Sequence, residues 1–98
     1  MASTRLAPHP GKILLRKFLA PRDLSANALA LALRVPANRI GAIINGKRAI
    51  SADTALRLAR YFGTTPEFWM NLQVRHELAA AKAALGRKIR RDVRPRGA

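Results

Sequence analysis

The side chains best suited to chemistry crowd into one short stretch of this 98-residue chain. Asn38, Ala42 and Asn45 are spaced to share the outer side of a helix, with Arg39 on its flank and Lys47 and Arg48 directly after it. Asparagine pairs bidentately with adenine, arginine pairs with guanine, and alanine touches a thymine methyl. Lysine and arginine clamp phosphates. Upstream, Ser25 and Asn27 stand at another helix start, where free N–H groups help a hydroxyl or amide to hold phosphate. This is chemistry of recognition, not of reaction. His9, His76 and the five acidic residues are scattered, and no H-E-x-x-H run, nucleophile–base pair or glycine-rich phosphate loop gathers them. The absence of cysteine removes disulfides, thiol catalysis and the usual zinc knuckles and fingers. We therefore expect no enzyme, no cofactor and no metal site.

Several of these residues suit more than one role. Asn45 fits a helix C-terminal cap as well as a base reader. Lys47 and Arg48 fit a solvated turn as well as a phosphate clamp. Ser25 can cap its helix and touch phosphate at once. Arg5, near the N-terminus, either follows a groove or does nothing.

Base recognition needs a rigid rod with a second rod bracing it from behind. The sequence predicts both. Ser25 N-caps a helix over about 26–33, with Leu29, Ala30 and Leu33 inward. Arg34 and Val35 make a turn, and Pro36 opens a helix over about 36–45 as its N1 residue. Ile40, Ile43 and Ile44 face inward there, and Asn45-Gly46 closes it. A small residue, Ala30, allows the two rods to cross closely, and Leu29, Leu33, Val35, Ile40 and Ile43 surround the crossing. This is the pattern of a helix-turn-helix. At about 100° per residue, Asn38, Gly41, Ala42 and Asn45 then project outward, Ala37 sits at the start, and Gly41 and Ala42 keep the rod slim. Arg34 holds a turn position that tends toward positive φ, at a cost on the order of 1 kcal/mol for a side chain of its kind.

Three further helices are expected. Pro10 starts one over about 10–19, carrying Ile13, Leu14, Phe18 and, at the margin, Leu15, and ending at Pro21-Arg22-Asp23. Ser51 caps one over about 52–62, with Leu56, Ala59 and Phe62 inward and Gly63 at its end. Thr65-Pro66-Glu67 is a helix-start signal for one from 66 to about 84, carrying Phe68, Trp69, Leu72 and Leu78. Trp69 suits the core or a subunit interface, the core more readily, because tryptophan rarely stays exposed in a small monomer. No period-2 alternation is sustained, so no sheet is expected. The fold class is all-α: a five-helix helix-turn-helix domain over 9–85, between a flexible arm at 1–8 and a flexible basic tail at 86–98. Residues 87–98 carry six basic side chains, and only Ile89 and Val93 have hydrophobic size. That is too little apolar area to offset ordering entropy.

Nineteen Lys and Arg against five Asp and Glu give a net charge of +14. Small soluble domains usually carry roughly 2–8. Such an excess calls for a polyanionic partner, nucleic acid before an anionic membrane. No apolar run approaches the ~20 residues of a membrane span, and residues 1–10 lack the apolar core of a signal peptide. A cytoplasmic protein is expected.

The runs His9-Pro10-Gly11-Lys12-Ile13-Leu14, Asn27-Ala28-Leu29-Ala30 and Val35-Pro36-Ala37-Asn38-Arg39-Ile40 resemble the HigA antitoxin family of the lambda-repressor-like (XRE) fold. So do Asn45 through Ala59 and Pro66-Glu67-Phe68-Trp69-Met70-Asn71-Leu72-Gln73. The likeness covers about residues 9–80 and leaves the basic tail outside. It implies a bacterial type II toxin–antitoxin antidote that forms a homodimer. Such a protein represses its own promoter through a palindromic operator and neutralises a HigB-type ribonuclease toxin. Two readings compete with it: a stand-alone repressor without a toxin, and a non-specific nucleic-acid-coating protein that works through the basic tail.

Overall fold

The computed structural model describes residues 7–97. Five helical stretches carry the fold, and no strand occurs among the described residues. Helix α1 (Pro10–Ile13) begins at the expected proline, and the His9 imidazole caps it by accepting from the Gly11 N–H at 2.9 Å. The coil then widens into a π-helical segment, Leu14–Leu19, and tightens into a 3-10 turn, Ala20–Arg22. The expected regular helix to about 19 is thus corrected. Bonding from i to i+5 stacks residues five apart, which lets Leu14 and Leu19 both enter the core. Asp23, at φ 51°, ends the stretch.

Helix α2 (Ala26–Leu33) has the expected cap, with Ser25 Oγ accepting from the Ala28 N–H at 3.0 Å. Arg34 adopts the anticipated left-handed conformation, φ 61°. The Val35 N–H reaches back to the Ala30 carbonyl at 3.0 Å and the Arg34 N–H to Leu31 at 3.2 Å, a Schellman ending that satisfies carbonyls otherwise orphaned. Helix α3 (Ala37–Ile44) follows. Pro36 is its N-cap rather than its first helical residue, because its ψ of 143° is extended and only its carbonyl joins the helix. Of the Asn45-Gly46 pair that closes α3, only Gly46 takes positive φ, 75°, while Asn45 stays at −82°.

Helix α4 (Ala52–Phe62) is capped by Ser51 and stopped by Gly63 at φ 75°. Its buried face is Thr54, Ala55, Leu58 and Ala59. Leu56, expected inward, is 59% exposed, since one residue past Ala55 means about 100° around the helix. Helix α5 (Pro66–Asp92) starts where Thr65 Oγ1 accepts from the Phe68 N–H at 3.1 Å. Trp69 is fully buried, and its Nε1–H donates to Thr64 Oγ1 at 2.7 Å. The core thus claims it. Phe18 packs 4.8 Å from the Trp69 ring and 4.9 Å from Phe62, centroid to centroid.

The largest departure is the length of α5. It continues past 84 to Asp92 although no residue from 80 to 97 is buried. Alanine and leucine between 78 and 85 are strong helix formers, and Lys88 pairs with Asp92 one turn on at 2.7 Å. Leu78, one of the large apolar residues that α5 carries, is 64% exposed. A helix of 27 residues is about 40 Å long, which accounts for most of the molecule's 51 Å long axis. The basic tail expected from 86 is therefore helical as far as Asp92, and only 93–97 lack regular structure. At the other end, His76 Nδ1 meets the Ala7 carbonyl at 2.9 Å, tying the last part of the expected arm to α5. The rest of that arm, Arg5 included, lies outside the described residues.

Candidate nucleic-acid interface

Helix α3 has two unlike sides. Ile40 and Ile43 are fully buried in the core that holds Leu29, Ala30 and Leu33 of α2. On the other side Ala37, Asn38 and Asn45 are exposed, and Gly41 and Ala42 are half-buried. Asn38, Ala42 and Asn45 follow one another at helical spacing, so they line a single face. Asn45 occupies the C-cap through its backbone, its N–H bonded to the Gly41 carbonyl at 3.0 Å. Its exposed side chain leaves both expected roles compatible. Lys47 and Arg48 stand exposed beyond Gly46, as do Ser25 and Asn27 at the start of α2.

Arg39 departs from expectation. Its side chain is only 21% exposed and turns toward α4, with Nη1 3.4 Å from Asp53 Oδ2. Its Nε is buried and has no hydrogen-bond partner. Asp53 in turn accepts from Arg57 Nε at 2.6 Å, and Arg57 Nη1 donates to the Leu33 carbonyl at 2.8 Å. One chain of contacts thus links the end of α2, the first turn of α4 and the flank of α3. The hydrogen bond from Arg57, aided by the charges of Arg57 and Arg39, holds the Asp53 carboxyl below the usual carboxylate range. Arg39 is thus turned toward α4 and not outward with Asn38.

Three supports of α3 escaped the sequence reading. Gly11 touches the end of α3 so closely that a Cβ there would lie 1.9 Å from the Ile43 carbonyl oxygen. Gln73, buried on α5, accepts from the Ile50 N–H at 2.8 Å and donates to Glu77 Oε2 at 2.8 Å, fixing the segment between α3 and α4. The His9 ring lies 5.0 Å from that of His76 and against Gly46. Burial, then the neighbouring His76, pushes the His9 pKa down, against a hydrogen bond with the Arg48 backbone. A signal existed for one of these supports and for the Asp53–Arg57 pair. Asp53 and Arg57 form a readable i,i+4 pair, and Gln73 shares the face of Trp69 one turn away.

The chain matches the helix-turn-helix family model over residues 15–69. It is 50% identical over 76 residues to virulence-associated protein I of Dichelobacter nodosus, spanning 78% of this chain and 70% of that protein. An addiction module antidote protein of the HigA family from Coxiella burnetii is 50% identical, with a TM-score of 0.88 over 92% of this chain and 98% of that one. The antitoxin HigA of Pseudomonas aeruginosa, solved with the higBA promoter, is 47% identical, with a TM-score of 0.90 over 93% and 99% of the two chains. Among the described residues no helix is long and apolar enough to cross a membrane. By sequence and by shape, this chain belongs to the helix-turn-helix family, among the HigA antitoxins.

Proposed function

We propose that this protein binds operator DNA as a homodimer, with α3 in the major groove, represses its own promoter and neutralises a HigB-type ribonuclease toxin. The observation that carries the reading is the outward face of α3. Asn38, Ala42 and Asn45 can approach base edges there without disturbing Ile40 and Ile43 behind them. Lys47, Arg48, Ser25 and Asn27 are exposed and free to fix the register on phosphates. The net charge of +14 favours the encounter. The Pseudomonas aeruginosa relative on its promoter supports the DNA partner, and the likeness to antidote proteins supports the toxin.

Dimer formation is supported by a stripe on α5. Val74, Leu78, Leu85 and Ile89 are exposed, and with Ala81 they recur at the three- and four-residue steps of one helix face. A dimer is also what two half-sites about 34 Å apart would call for, one copy of α3 on each.

The test is binding to the DNA upstream of the protein's own gene, with and without the neighbouring gene product. A salt-sensitive shift that a scrambled duplex does not give, and a stable complex with the neighbour, are expected. Equal binding to both duplexes would overturn operator recognition, and no complex would remove the toxin. A coating role is favoured only by the exposed basic end of α5. It predicts that truncation after Leu85 abolishes binding. Our reading predicts that truncation lowers salt-sensitive affinity and keeps the sequence preference.

A further inference from the structure

We infer that Asp53 is a specificity-determining residue that withholds Arg39 from DNA phosphates until an acceptor of matching geometry takes it. The inference rests on the operator-binding reading above. Two arginines share the Asp53 carboxylate unequally, Arg57 at 2.6 Å and Arg39 at 3.4 Å. Arg57 is anchored at its far end on the Leu33 carbonyl at 2.8 Å, so the carboxylate is fixed relative to the end of α2. Arg39 is held far more loosely. Its contact exceeds the roughly 2.7–2.9 Å of a strong charge-assisted bond, its Nε has no partner, and Asp53 is 54% exposed. With the carboxylate half open to solvent and the contact long, the pair is weak.

That asymmetry has a consequence for selectivity. Binding to arbitrary DNA grows with the number of cations that replace counterions on phosphates. An arginine turned toward a carboxylate, with part of its charge cancelled there, adds less to that number. A guanine edge offers O6 and N7 side by side, and two acceptors can draw the guanidinium from a carboxylate that holds it at one long contact. Arg39 then contributes to the preferred sequence and not to random ones. Asp53, which need not touch DNA, enforces the difference.

Fluorescence anisotropy on the promoter duplex and a scrambled duplex, from 50 to 200 mM salt, tests this. Asp53→Asn should bind the scrambled duplex several-fold more tightly, with a log–log salt slope steeper by about one, so that the promoter-to-scrambled ratio falls. Adding Arg39→Gln to that variant should restore the wild-type slope, and Asp53→Glu should behave as wild type. Asp53 is a mere brace, and the inference is overturned, if Asp53→Asn loses affinity alike on both duplexes with a lower unfolding midpoint. No change on either duplex overturns it too. Should Asp53→Asn fail to fold, Arg39→Gln decides with Asp53 intact. It should weaken the promoter about tenfold and leave the scrambled slope unchanged, whereas Lys47→Gln flattens that slope by about one. Equal flattening by both overturns the inference. A wild type without promoter preference would instead sink the operator reading, while the scrambled-duplex slopes still judge the restraint on Arg39.

Discussion

The α2–α3 pair and the outer half of α5 are both helical, but they are held by different means. Of the four ends of α2 and α3, three are tied. Ser25 caps α2, Arg34 and Arg57 satisfy its last carbonyls, and Gly11 meets α3 without room for a methyl group. From Ala80 onward α5 buries nothing, and its ties are surface contacts such as Lys88 with Asp92. Tertiary packing thus fixes the rod that carries Asn38. Local propensity and such surface pairs keep the outer rod helical and leave its apolar stripe uncovered.

Matched substitutions can break that comparison. The largest contrast is expected between two glycines. Gly11→Ala puts a Cβ 1.9 Å from the Ile43 carbonyl oxygen, and overpacking against backbone should cost about 3 kcal/mol and abolish promoter binding. Gly86→Ala meets only the Arg90 and Lys82 side chains at 3.6 and 3.8 Å, so it should strengthen the local helix by up to about 1 kcal/mol. Urea unfolding of the two variants checks this, and similar midpoints would dissolve the distinction. Next comes Gln73→Leu, which orphans the buried Ile50 N–H and should cost about 1–3 kcal/mol. Leu85→Ala should leave unfolding of the monomer within about 0.5 kcal/mol and weaken self-association in sedimentation.

The smallest effect should come from pH. The folded His9 pKa is lowered, so the unfolded chain binds more protons between the two pKa values. Its contribution is complete above about pH 6.5 and is lost as pH falls through the lower folded value. Protonation would also remove the lone pair that accepts from the Gly11 N–H. Melting temperature followed from pH 7.5 to 5 should therefore fall in wild type. It should fall less in His9→Asn, which keeps a capping acceptor and does not titrate.

Much of the recognition region was legible because its signals are local. Ser25, Ser51 and Thr65 cap the helices that they precede, Arg34 takes positive φ, and the apolar positions at 29, 30, 33, 40 and 43 all enter the core. What failed was set by distance along the chain or by competition. Helical angle places Arg39 on the flank of α3, but its orientation depends on Asp53, 14 residues away. Composition judged residues 87–92 by burial, whereas an alanine-rich lead-in and i,i+4 pairing keep them helical. Nothing in the local sequence marks Gly11, because its constraint is a backbone from another helix.

The central claim is that the outer face of α3 reads DNA. Asn38→Ala tests it most directly, because the side chain is exposed and removing it should not disturb the core. Anisotropy at fixed salt should show about a tenfold loss on the promoter duplex, with the scrambled-duplex affinity and melting temperature unchanged. An unaltered promoter affinity would contradict the account.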